Sequence, residues 1–117
     1  MRRRYRDLAI LENLTETFTM PEYYSGTLVL LFYGRRCPNC REVLKWWNRV
    51  VKLCKGHAVF MAIPYTRHLR RVVESVGVSY LPALLIVKDG IIVERLEPVR
   101  RAEELEAAII SNVLLVP

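Results

Sequence analysis

The 117-residue sequence predicts one α/β domain, 1–117, with a central mixed sheet flanked by helices on both faces and elements in the order βαβαβαββα. Three observations carry that prediction. Apolar runs of strand length do not alternate with polar residues, amphipathic helical stripes separate them, and an Asp-Gly turn stands near the end of the chain. Two βαβ-type connections followed by a hairpin need parallel and antiparallel neighbours in one sheet, and right-handed crossovers lay their helices over it.

The elements follow in order. After a basic arm in residues 1–6, Leu8 to Leu11 reads as a short strand, and Asn13 or Thr15 can cap a short helix broken near Pro21. Gly26 ends that connection. Leu28 to Tyr33 is a continuous apolar run, the pattern of a strand covered on both faces, and it stops at Gly34. From Pro38 onward Val43, Leu44, Trp46, Trp47, Val50, Val51 and Cys54 recur at three- and four-residue intervals, which is an amphipathic helix. Pro38 suits its first position and Gly56 its end. Trp46 and Trp47 point about 100° apart on such a helix, so at least one belongs to the core.

Ala58 to Ile63 reads as another buried strand. Thr66 can cap a helix with the stripe Leu69, Val72, Val73 and Val76, stopped by Gly77. Pro82 opens the run Ala83 to Val87, and Lys88-Asp89-Gly90 separates it from Ile91 to Leu96, the signature of a tight hairpin. A last helix over Arg100 to Asn112 carries the stripe Leu105, Ala108, Ile109 and Val113. The apolar tail Val113 to Val116 is expected to pack on the sheet.

Composition narrows the function classes. With 52% apolar residues, a net charge of +6 and 3 Cys, the chain can bury a core without a disulfide scaffold. Its apolar runs are shorter than the roughly 18 to 20 residues of a membrane span. MRRRYRD lacks the apolar stretch of a secretory leader, so the expected location is cytoplasmic and reducing. Paired Cys in that setting are catalytic or metal-binding more often than structural. The arm's four arginines read as a solvated tail, and no aromatic-basic interleaving points to nucleic acid. His57 and His68 have no partner pattern and read as surface residues.

The chemistry concentrates in Arg35-Arg36-Cys37-Pro38-Asn39-Cys40, where a buried strand ends and a helix begins. Cys37 occupies or adjoins the N-cap, where unpaired N–H groups and the positive helix end favour a thiolate. Arg35 and Arg36 lower the thiol pKa in the same sense. Cys40, three residues on, lies on the same side of the first turn within reach of a disulfide. Cys37 is then the attacking nucleophile and Cys40, deeper in the helix, the resolving thiol. A zinc reading competes, because Cys37, Cys40, Cys54 and His57 have the spacing C-x2-C-x13-C-x2-H. One helix between Cys40 and Cys54 would hold them about 21 Å apart, too far for one metal, and leaves Cys54 as a small core residue.

Together with that motif, the approach Gly77-Val78-Ser79-Tyr80-Leu81-Pro82 and the hairpin Ala83 to Leu96 make the chain resemble the thioredoxin family along nearly its whole length. The resemblance implies that Pro82 is cis beside the two Cys, and that Leu81 pairs its backbone with an extended substrate strand. It implies a thiol–disulfide oxidoreductase needing no cofactor beyond its own redox-active disulfide, with disulfide-containing proteins as substrates and a separate disulfide reductase as electron source. A monomer is expected, with no nucleic-acid or membrane partner. Two departures stand out. Thioredoxins carry Trp-Cys-Gly-Pro-Cys where this chain has Arg36-Cys37-Pro38-Asn39-Cys40, and they bury an acid where Leu31 stands, with a Lys where Ala62 or Ile63 stands. Without that proton relay the couple is expected to be less reducing than thioredoxin's roughly −270 mV, toward the roughly −200 mV of glutaredoxins. The alternatives are a glutathione-linked activity like that of glutaredoxins and a non-enzymatic module that binds zinc or a partner.

Overall fold

The computed structural model describes residues 26–67 and 69–114. The elements are β1 (Thr27–Tyr33), α1 (Pro38–Leu53), β2 (Val59–Pro64), α2 (Arg70–Ser75), β3 (Ala83–Lys88), β4 (Ile91–Leu96) and α3 (Ala102–Val113). The expected strand at Leu8 to Leu11, the helix after it, the basic arm and the end of the apolar tail lie outside the described residues.

Within the described residues the four strands form one sheet in the order β2-β1-β3-β4. β1 runs parallel to β2 and antiparallel to β3, and β3 and β4 form the antiparallel hairpin. The mixed sheet follows from its connections: α1 is long enough to carry the chain back for a parallel partner, whereas Asp89-Gly90 turns it within two residues. Both turn residues have positive φ, 48° and 87°, the type I′ geometry that matches strand twist and that glycine adopts without strain. Asp89 Oδ1 also accepts the Gly26 N–H at 2.7 Å, which ties this turn to the start of β1.

The central strands sort their side chains by parity. Leu28, Leu30 and Phe32 of β1 join Leu85, Val87, Val73 and Val76 on the α2 face. Val29 and Leu31 join Val43, Trp47, Val50, Leu105 and Ile109 on the face covered by α1 and α3. Every residue from Leu28 to Phe32 is fully buried, as the uninterrupted apolar run requires of a strand with helices on both sides. Of the two adjacent tryptophans, Trp47 is in the core and meets Phe60 edge-on with ring centroids 5.8 Å apart, while Trp46 is half-buried.

Two expectations are corrected. β2 is not buried throughout: Ile63 alone is fully covered, on the α2 face, whereas Ala62, on the opposite face with Phe60, joins neither core cluster and is exposed. Thr66 does not cap α2. Its hydroxyl accepts the Leu69 N–H at 3.2 Å in a turn that precedes the helix, and α2 begins at Arg70 with Leu69 as N-cap. At the other end, Gly77, at φ 75°, terminates α2 with its N–H on the Glu74 carbonyl.

Candidate active site

The site forms where β1 gives way to α1. Gly34, Arg35 and Arg36 turn the chain out of the sheet, and Cys37 is the N-cap of α1 in extended conformation (φ −96°, ψ 109°), followed by Pro38 in the first turn. Cys37 and Cys40 are joined as a disulfide with Cα atoms 5.2 Å apart, as one helical turn places them. The two sulfurs differ in access. Cys37 is half-buried and Cys40 is 2% exposed. The Gly34 N–H points at Cys40 Sγ at 3.4 Å, and Cys37 Sγ lies 3.7 Å from the Leu81 carbonyl oxygen. On reduction these contacts fall to two thiols at a helix N-terminus, where unpaired N–H groups and the helix dipole favour the thiolate.

Leu81 and Pro82 are brought to the same place by the loop that enters β3. The Leu81–Pro82 bond is cis, Leu81 is half-buried and Pro82 is buried. The approach is close: a Cβ on Gly34 would lie 3.2 Å from Leu81 Cδ1, so glycine leaves the room this loop uses. Pro82 O accepts the Val99 N–H at 2.8 Å, and Asn39 Nδ2 donates to Val99 O at 3.0 Å. Asn39, between the two cysteines, therefore ties the first turn of α1 to the segment after β4. The sequence reading missed this contact because its partner is sixty positions away and no local pattern announces it.

Arg35 and Arg36 are exposed beside Cys37, and with Arg41 they line an open cleft of about 490 Å³ that reaches Cys37 and Cys40. Cys54 sits at the far end of α1, fully buried, and burial pushes its thiol above its ordinary value. The helix thus separates Cys54 from Cys40 as the spacing argument requires. Among the described residues no three His, Cys, Asp or Glu side chains gather where they could hold a metal ion. In reduced, folded protein Cys54 is expected to resist iodoacetamide until denaturant is added; native labelling of all three sulfurs would show that α1 does not seal it.

Leu31, where the family buries an acid, is fully buried on the α1 face of β1, and no buried charged or polar residue occurs among the described residues. Fold and site together are those of a thiol–disulfide oxidoreductase. The chain belongs to the thioredoxin family, whose model matches residues 13–111. Thioredoxin H4 of Arabidopsis thaliana is 27% identical over 85 residues, 73% of this chain and 70% of that protein. The fold is similar to thioredoxin O2 of Arabidopsis thaliana in its oxidised state, with a TM-score of 0.74 at 15% identity, covering 92% and 90% of the two chains. Oxidised thioredoxin from Plasmodium falciparum gives 0.70 at 14% identity and covers 92% of each chain. No helix among the described residues is long and apolar enough to cross a membrane.

Proposed function

We propose that the protein reduces or exchanges protein disulfides through the Cys37/Cys40 dithiol. The observation that carries this reading is the pair's asymmetry: a half-buried N-cap sulfur joined to a buried one that a backbone N–H faces. The Cys37 thiolate attacks one sulfur of a substrate disulfide, forming a mixed disulfide and expelling the other sulfur as a thiolate. Cys40, deprotonated, then attacks Cys37 Sγ, closing the Cys37–Cys40 bond and releasing the second substrate thiolate. The substrate gains two electrons and two protons, and the protein dithiol is oxidised. A separate disulfide reductase returns those electrons, so no bound cofactor is needed, and a reducing compartment such as the cytoplasm would keep the pair as thiols. Arg35 and Arg36 tune the Cys37 thiolate, and Leu81 beside Pro82 pairs with the substrate main chain.

A second reading draws on the cleft lined by Arg35, Arg36 and Arg41, whose guanidinium groups suit the carboxylates of glutathione. Equilibration in graded dithiothreitol buffers, followed by alkylation and mass counting, tests the first reading. A reversible two-thiol transition at Cys37 and Cys40 is expected, with a midpoint between roughly −270 and −200 mV. A midpoint at or below thioredoxin's would remove the less reducing couple, and sulfurs that label only after a chelator is added would replace the enzyme with a zinc module. Repeating the turnover with glutathione as reductant separates the two oxidoreductase readings.

A further inference from the structure

We propose that Glu97 is a positioning residue for substrate pairing, its carboxylate fixing the main chain of Ser79 and Tyr80 so that Leu81 is held against Cys37. This rests on the oxidoreductase reading above and names a residue outside the Cys-x-x-Cys turn on which substrate affinity depends. Glu97 follows β4 directly, and Oε2 accepts the backbone N–H groups of both Ser79 and Tyr80, the latter at 2.9 Å. Oε1 takes Arg95 Nη1 at 3.2 Å, and Arg95 Nη2 donates to the Val76 carbonyl at 2.9 Å, at the end of α2. The carboxylate is the hub of a brace between β4, the end of α2 and the loop that carries Leu81.

The loop has reason to need such a brace. Residues 77–82 lie in no helix or strand, so Ser79 and Tyr80 have no ladder in which to place their N–H groups. One ionised acceptor satisfies both, and hydrogen bonds to a charged group are stronger than those to a neutral one. The Glu97 side chain is 13% exposed. Burial alone would raise its carboxyl, yet the two N–H groups and Arg95 outweigh it and hold the group below its ordinary value. Two residues on, Val99 bonds Pro82 on one side and Asn39 on the other. The segment 97–99 thus grips the 79–82 loop at both ends and the turn between the cysteines as well. Because Ser79 and Tyr80 spend their N–H groups on Glu97, strand addition by a substrate is confined to Leu81, flanked by the exposed Tyr80 ring.

Steady-state reduction of insulin, with dithiothreitol as electron donor, tests the proposal alongside the rate at which iodoacetamide alkylates Cys37, a reaction that needs no strand pairing. Glu97→Ala is expected to raise KM about tenfold with kcat and the alkylation rate changed by less than about twofold. Glu97→Gln, which keeps a carbonyl acceptor, is expected to recover most of the loss. Arg95→Ala leaves the carboxylate but removes its anchor, and is expected to raise KM about threefold; it carries the same test should Glu97→Ala not fold. An unchanged KM in Glu97→Ala or Arg95→Ala overturns the proposal. So does a parallel fall in kcat and alkylation, or a Glu97→Gln as impaired as Glu97→Ala. Wild-type protein that neither reduces insulin nor shows the Cys37/Cys40 transition would instead remove the oxidoreductase reading itself.

Discussion

Cys37→Ser is expected to lose disulfide reduction by roughly three orders of magnitude or more, whereas Cys40→Ser is expected to stop turnover after its first half and accumulate mixed disulfides. The difference follows from access. A substrate sulfur meets Cys37, half-buried at the end of α1, before Cys40, which is 2% exposed at the floor of the cleft and faces the Gly34 N–H. Serine at 37 leaves a hydroxyl that does not ionise near neutral pH, so the helix N-terminus has no anion to stabilise. Serine at 40 leaves the Cys37 thiolate in place but removes the group that would expel a bound substrate. Incubation with a protein disulfide and mass analysis without reductant reads both outcomes: adducts on Cys40→Ser and none on Cys37→Ser. Adducts on Cys37→Ser alone would reverse the two roles. Turnover by Cys37→Ser above about a tenth of wild type would place the chemistry elsewhere.

Much of this arrangement is legible in the sequence because it is local. The run from Leu28 to Tyr33, the stripe from Val43 to Cys54 and the Asp89-Gly90 turn each specify an element through their own neighbours, and each element forms where those residues stand. The Cys-x-x-Cys turn is local too, so the N-cap place of Cys37 and the burial of Cys40 follow from strand, proline and helix in succession. What escapes a linear reading depends on what comes to lie beside what. Ala62 shares a face of β2 with Phe60 but lies beyond the core cluster there, a placement that hydropathy does not encode. Thr66 is a good helix cap by residue type, yet its hydroxyl is taken by a tighter turn first. Glu97 looks like an ordinary surface acid after a strand. Only the folded chain brings the Ser79 and Tyr80 N–H groups to it, eighteen and seventeen positions away.

Leu31→Asp, which restores the residue type that the family buries at this position, is expected to destabilise the protein by roughly 4 kcal/mol or more at neutral pH. Leu31 is fully covered in the cluster formed with Val43, Trp47, Val50, Leu84 and Ile86, and no buried polar or charged group occurs among the described residues to receive a carboxylate. Two costs add. The leucine's burial and packing are lost, and a carboxyl group is desolvated without a partner. The second cost depends on pH in a defined sense. Burial raises the folded-state pKa of the new acid above its unfolded value of about 3.9, by up to several units. Between those two values the folded protein holds the extra proton, so stability falls as pH rises from about 4 and levels off above the folded pKa. Urea unfolding at pH 4, 6 and 8 should show the deficit of Leu31→Asp growing along that series, while Leu31→Asn shows a constant one. A deficit below about 1 kcal/mol at pH 8, or one indifferent to pH, would mean that water reaches this face of β1. Cys37 would then not depend on the helix end and its arginines alone.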